Sequence, residues 1–308
     1  MKVSVIIPNY NHASYLEQRI ESVLNQSYQH FEVIILDDCS TDNSMTVINQ
    51  YKDHPKVAII MRNETNSGST FKQWEKGVAL TKGEYVWIAE SDDYADESFL
   101  FAAIKRLQGH TSTGLYFCNY HSINERGVVI PSNHKYAPEF INYFDDHESM
   151  NGKYFCEHYL FFSSLILNAS GVVFKKELFA AADKTYMQLK IAGDWRMWVN
   201  ICYATNIFFD NHKLDYFRMH EQNVRSKKAE LMGAEAVQNM VYFIKKTPDK
   251  LVQQKLKHMI CKTWVYSFYL NKSLRLNAKL LKKVLSVDAL FPLRLLKRVG
   301  NRLGKQKA

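Results

Sequence analysis

The sequence contains no uninterrupted apolar run of about 18 residues, the length a membrane-spanning helix needs. Its longest weakly polar stretch, "YLFFSSLILNASGVVF" (159–174), is broken by Ser163, Ser164, Asn168 and Gly171. A secretory leader is not expected either, because the apolar start of "MKVSVIIPNYN" meets Pro8 and Asn9 too soon. Cysteine is scarce. Cys39, Cys118, Cys156, Cys202 and Cys261 form no CxxC pair, and an odd, scattered set reads as reduced thiols buried as small apolar groups in a cytoplasmic protein. No internal repeat, low-complexity linker or recognised nucleic-acid-binding motif is present.

Acidic residues are also missing from one end of the chain. Residues 272–308 hold eleven Lys or Arg against one acid, Asp288, a net of +10; the +9 of the whole chain therefore leaves −1 for residues 1–271. A near-neutral body argues against a broad nucleic-acid footprint. The cationic tail, with short leucine stripes at 280–285 and 293–299, suits an anionic membrane surface or a partner.

What is present begins with five short β-branched or aromatic runs: "VSVII", "EVIIL", "VAIIM", "EYVWIA" and "LYFCNY". Nearly continuous hydrophobicity implies strands covered on both faces, hence a mainly parallel sheet. Between them, Leu16, Ile20 and Val23, then Phe71, Trp74 and Val78, then Phe99, Ala103 and Leu107 keep helical spacing. The succession predicts a doubly wound α/β sheet with helices on both faces. Residues 126–170 are irregular and aromatic, and read as a lid or an acceptor-side insertion. A short helix is expected after Asp194, then strands "NIFF" and "KLDYFRM", and helices from Glu230 onward.

Ligands of open α/β sheets bind beyond the carboxyl ends of the strands, and two acidic clusters fall there. "LDDCSTD" puts Asp37, Asp38 and Asp42 after the second strand; Ser40, Thr41 and Asp42 read as helix capping, which leaves the Asp37–Asp38 pair unexplained. "ESDDYAD" puts Glu90, Asp92, Asp93 and Asp96 after the fourth. Asp96 and Glu97 serve as helix-start acids. Crowding of Glu90, Asp92 and Asp93 is consistent with a solvated turn or with a divalent cation, Mn2+ or Mg2+, that also binds substrate phosphates.

"VSVIIPNYNHASYLEQRIESVLNQSYQHFEVIILDDCSTDNS" and "NSGSTFKQWEKGVALTKGEYVWIAESDD" resemble the family 2 inverting glycosyltransferases, closely over about residues 2–100 and more loosely to about 220. The resemblance implies the GT-A fold over residues 1–225, with a nucleotide-sugar half (1–125) and an acceptor-side half (126–225), followed by a basic helical region (226–308). It implies a nucleotide pocket at Pro8, Asn9 and Tyr10, base recognition by Asp38, and Asn66 and Gly68 along the pocket. Asp92 would lie near the ribose and diphosphate, Asp93 would be the nearest metal ligand, and Arg218 and His220 of "YFRMHEQNVR" would complete the diphosphate and metal site. Asp194 of "AGDW" matches the catalytic base, although Gly193 replaces the Glu that usually precedes it, and Glu90 stands where many members have Asp. The implied reaction moves a sugar from a nucleotide-diphosphate donor, UDP-linked, to a hydroxyl of a glycan or lipid-linked acceptor. A degenerate sugar-nucleotide-binding protein and another metal-dependent phosphate enzyme are the alternatives.

Overall fold

The computed structural model describes residues 1–132, 135–220, 229–270 and 274–305. Its centre is built from the apolar runs: β1 (Val3–Asn9), β2 (Phe31–Asp37) and β4 (Tyr85–Ile88) are buried along their whole length. β1 pairs in parallel with β2 on one side and β4 on the other. β3 (Val57–Arg62) extends the sheet beyond β2 and is only half-buried, being the edge strand. Side chains alternate across this sheet. Val5 and Ile7 join the layer of Leu16, Ile20 and Val23 from α1 (Ala13–Leu24), whereas Ile6 joins the layer of Phe71, Trp74 and Val78 from α3 (Thr70–Leu80). Helices thus cover both faces, with α2 (Ser44–Asn49) and α4 (Phe99–Gly109) on the first. Each fully buried Val, Leu or Ile contributes about 1.5–3 kcal/mol, so the sheet is the principal source of cohesion.

Beyond β4 the sheet departs from the parallel expectation. β5 (Tyr94–Ala95) lies at the far edge, and β6 (Thr113–Ile123) is paired by the two-residue β7 (Val129–Ile130). β9 (Val172–Lys175) runs antiparallel between β4 and β6, which makes the sheet mixed. "NIFF" and "KLDYFRM" are not two strands but one, β10 (Asn206–Arg218). Register shifts against β6 at Asp210/Lys213 and Lys213/Asp215 absorb the polar residues between them. The two-residue β8 (Met150–Asn151) pairs with the start of β10.

Several aromatics of 126–170 pack into the core. Within α5 (Pro138–Asp146), Phe140 lies 5.1 Å from Phe209 between ring centroids, and Tyr136 just before it lies 4.5 Å from the same ring. Phe155, in α6 (Gly152–Phe155), meets Phe117 at 5.8 Å. After β9 come α7 (Lys176–Ala181) and α8 (Gly193–Cys202).

The C-terminal region packs on this body rather than trailing from it. In α9 (Ala229–Lys246), Phe243 stacks on Phe161 at 4.8 Å and meets Trp195 at 5.3 Å. α10 (Lys250–Leu270) buries Leu256 and Ile260. α11 (Leu274–Leu285) buries Leu280 and Val284, and α12 (Phe291–Lys305) sets Phe291 against Trp264 at 5.2 Å. The boundary expected at 225–226 lies outside the described residues. Among those described, no helix is long and apolar enough to cross a membrane.

Candidate active site

At the carboxyl end of β2, both aspartates are tied down by the chain itself. Asp37 accepts from Asn9 Nδ2 and the Ser40 N–H, each at 2.9 Å, and faces Arg62 Nε at 3.6 Å. Asp38 accepts from Asn63 Nδ2 (2.5 Å), the Ser67 N–H (2.9 Å), Ser67 Oγ (2.7 Å) and Gln73 Nε2 (2.8 Å). Four donors on one carboxylate fix the 63–69 loop against β2. Asn66 Oδ1 in that loop accepts from the Gly68 N–H, and Gly68 takes the left-handed φ of +69°. Pro8 and Asn9 are buried at the end of β1, whereas Tyr10 is 44% exposed and can meet a ligand. Capping here belongs to Asp42, not Ser40 or Thr41: its Oδ1 accepts from the Ser44 N–H at the start of α2 and its Oδ2 from the Ala13 N–H at the start of α1.

"ESDDYAD" divides by direction. Asp96 accepts from the Ser98 N–H at 2.9 Å in the turn before α4, so neither it nor Glu97 lies in that helix's first turn, the place expected for them. Asp92 faces two imidazoles. Its Oδ2 lies 3.0 Å from His220 Nε2, and ligand atoms of His12, Asp92 and His220 all lie within 4.8 Å of one another. His12 Nδ1 is engaged with Ser91 Oγ at 2.8 Å, and His220 Nδ1 is buried with no hydrogen-bond partner among the described residues. Burial pushes the Asp92 pKa up, but the His220 hydrogen bond and the His12 charge outweigh it and hold Asp92 below the usual carboxylate range. Burial likewise lowers His12, which favours the neutral imidazole a metal requires. One ionised carboxylate, two imidazoles and an orphaned buried nitrogen fit a divalent cation.

Asp93, expected to be the nearest metal ligand, is not in that group. Its Oδ1 accepts the Arg218 N–H at 2.8 Å, and its Oδ2 accepts Asn168 Nδ2 and Ser170 Oγ at 2.8 and 2.9 Å. Asp92 sits in the turn after β4, where the Asp93 N–H donates to the Glu90 carbonyl at 3.3 Å, and of the two adjacent aspartates only Asp92 reaches the histidines. Asp215 on β10 shares the Asn168 donor at 2.9 Å, and burial, then repulsion from Asp93, raises its pKa well above normal. Asp93 is pushed to about 6 by burial and by Asp92.

Arg218 braces the backbone around the site. Its Nε donates to the Asp92 carbonyl, its two terminal nitrogens reach the carbonyls of Asn124 and Glu125 and the side chain of Gln18, and the guanidinium lies 4.5 Å from the Tyr15 ring. It thereby fixes the backbone between Asp92 and His220. Arg19 is buried beneath the acids, with Nε on the Glu90 carbonyl at 2.8 Å.

Glu90 turns inward, where it accepts from Trp74 Nε1 at 2.7 Å. Burial and the charge of Asp92 raise its pKa to about 8. The folded state therefore holds this proton more tightly than the unfolded chain, whose value is near 4.5, and stability falls as pH rises between the two. Asp93 shares the fall only up to about 6. In chelator-treated protein, Glu90→Gln is expected to reduce the loss of thermal stability between about pH 6 and about pH 8, with Asp215, whose pKa is also raised well above normal, supplying the remainder. The same slope in variant and parent would exclude Glu90 as a source.

Asp194 lies in the first turn of α8, with Oδ1 accepting the Trp195 N–H at 2.8 Å. Gly193 before it is a close-approach glycine: a Cβ would come within 2.5 Å of Phe71 and 2.6 Å of the Tyr186 carbonyl. A Glu has no room there, which explains that departure from the motif. The contact also ties α8 to the acids, since Phe71 packs edge-on against Trp74 at 5.2 Å and Trp74 holds Glu90.

The family model described as Glycosyl transferase family 2 matches residues 4–181, more than half of the chain. The chain belongs to glycosyl transferase family 2. Poly(ribitol-phosphate) beta-N-acetylglucosaminyltransferase TarS of Staphylococcus aureus is 33% identical over 141 residues, covering 45% of this chain and 24% of that protein. The putative teichuronic acid biosynthesis glycosyltransferase TuaG of Bacillus subtilis is 33% identical over 143 residues, 46% of this chain and 56% of its own length. The match to TarS thus spans about a quarter of that relative. The crystal structure of S. aureus TarS 1–349 in complex with UDP-GlcNAc aligns over 97% of this chain and 88% of that one, with TM-score 0.65 and 19% identity. The GT-A fold of the family is therefore this chain's fold. Of the family's expected site residues, the structure brings Asp92 and His220 together and adds His12. His12 was legible only as one of the polar residues between β1 and α1.

Proposed function

We propose that the protein is an inverting glycosyltransferase that moves a sugar from a UDP-linked donor to a hydroxyl of a glycan or lipid-linked acceptor in surface polysaccharide synthesis. The observation that carries this reading is Asp92, kept ionised between His12 and His220 beyond the carboxyl end of β4. The 33%-identical relatives, a poly(ribitol-phosphate) beta-N-acetylglucosaminyltransferase and a putative teichuronic acid biosynthesis glycosyltransferase, support the acceptor class.

Asp92, His12 and His220 would hold a divalent cation, with Mn2+ better matched than Mg2+ to a donor set containing imidazole. When bound, it supplies Lewis-acid neutralisation of the donor diphosphate. Tyr10 and the loop held by Asp38 flank the nucleotide. Asp194 takes the proton of the acceptor hydroxyl as its oxygen bonds to the anomeric carbon. The bond from that carbon to the diphosphate breaks with its electron pair on the leaving nucleoside diphosphate, and attack from the opposite face inverts the centre. The leaving diphosphate needs no carboxylic acid to protonate it, unlike a glycosidic oxygen. Incubation with UDP-sugars, Mn2+ and glycan acceptors should release UDP with sugar transferred. Release of inorganic phosphate would favour the other phosphate enzymes, and binding without turnover a degenerate site.

The C-terminal helices support a second contact, with the anionic inner face of the cell membrane. On and beside α12, Leu293 and Leu296 are 64% and 69% exposed, next to Lys297 and Arg298. Exposed leucines alongside cations fit an anionic lipid interface. Leu293→Ser with Leu296→Ser should abolish flotation of the full chain with phosphatidylglycerol vesicles. Unchanged flotation would remove the membrane role.

A further inference from the structure

The turn leading into Asp194 is held by a carboxylate from far along the chain. Ala192, just before α8, offers no capping side chain, and Gly193 has no space for one. Instead the backbone N–H groups of Lys190, Ile191 and Ala192 all donate to Glu235 of α9: Lys190 to Oε1 at 2.8 Å, and Ile191 and Ala192 to Oε2 at 2.8 and 2.9 Å. Glu235 is only 3% exposed. One turn further along α9, Asn239 donates Nδ2 to the Ala192 carbonyl at 2.8 Å and accepts from Arg196 Nε at 2.9 Å. Arg196 Nη1 in turn donates to Thr185 Oγ1 at 3.3 Å. The two side chains therefore grip the backbone before Asp194 and the side chain two residues after it.

Packing does not require this arrangement. Ala234, Val237 and Phe243 already seat α9 on the body, and burying a charge for cohesion alone is a poor use of it. An anion seated among three converging N–H groups has another capacity, since its short charge-assisted bonds fix the backbone position and direction. The residue whose position is fixed is Asp194.

We propose that Glu235, with Asn239, is a positioning residue for Asp194, acting on the proton-transfer step and not on donor binding. The proposal rests on the reading of Asp194 as general base. Glu235→Gln is nearly isosteric, but its one carbonyl oxygen cannot accept all three N–H groups and its amide opposes one of them. A small displacement of a reacting group costs up to about 100-fold in rate. The variant should therefore lower kcat about 10- to 100-fold while leaving the UDP-sugar dissociation constant and the Mn2+ response unchanged. Because Glu235 acts only through Asp194, Glu235→Gln combined with Asp194→Asn should be no slower than Asp194→Asn alone.

Multiplying losses in the double variant, or parallel losses of kcat and donor affinity in the single one, would overturn the proposal. Should Glu235→Gln fail to fold, Asn239→Ala breaks the same grip and takes its place; failure of both to fold assigns the grip to the scaffold alone and also overturns it. An inactive Asp194→Asn beside a fully active Glu235→Gln rejects the positioning role only. A fully active Asp194→Asn rejects the base itself.

Discussion

Asp194→Asn should leave UDP-sugar binding intact while lowering sugar transfer by about 10²- to 10⁴-fold, the range supplied by a positioned general base. The substitution keeps size and shape, and the Asn carbonyl can still accept the Trp195 N–H that Asp194 Oδ1 accepts at 2.8 Å. The start of α8 should therefore persist while the capacity to take a proton is lost. Donor binding by thermal shift, beside turnover by UDP release, separates these effects. Transfer near the parent rate would show that another group accepts the proton.

The second large effect is expected at Asp92. It is the one carboxylate of the His12–Asp92–His220 group, so Asp92→Ala leaves two imidazoles with no anion to hold a cation between them. Even removal of a residue that merely supports a ligand lowers metal affinity about 10- to 100-fold; loss of the carboxylate ligand should exceed that and abolish the Mn2+-dependent thermal shift with UDP. Asp93→Asn discriminates between the neighbours. Its oxygens already serve Arg218, Asn168 and Ser170, so it should reduce stability while the Mn2+ response survives. The reverse pattern would return the ligand role to Asp93.

Much of this was legible because it is local. Continuous apolar runs specify β1, β2 and β4, and the spacing of Leu16, Ile20 and Val23 specifies the buried face of α1. The acids beyond β2 and β4 could be found as charge crowding at strand ends. Which acid faces which partner could not, because Asp92 meets a histidine 128 residues away and Asp93 meets a backbone N–H 125 residues away. The charge of Arg218 is visible in sequence, whereas the carbonyls it braces are not. The core role of Phe140 was hidden for a related reason: Phe and Tyr suit a core as well as a surface, and its partner Phe209 lies far along the chain. Glu235 gave no signal, since its partners are backbone N–H groups that every sequence possesses.

The reversed direction of β9 bears on where the polar donors come from. Parallel strands deliver only their outgoing ends to the ligand-binding rim of a sheet. Because β9 runs the other way between β4 and β6, its incoming turn arrives at that rim, carrying Asn168 and Ser170. Those two residues supply side-chain donors to Asp93 and Asp215, and Ser170 Oγ receives the Glu90 N–H at 3.0 Å. One strand of opposite polarity thus gives a rim crowded with outgoing carboxylates the neutral amide and hydroxyl that allow them to stand side by side.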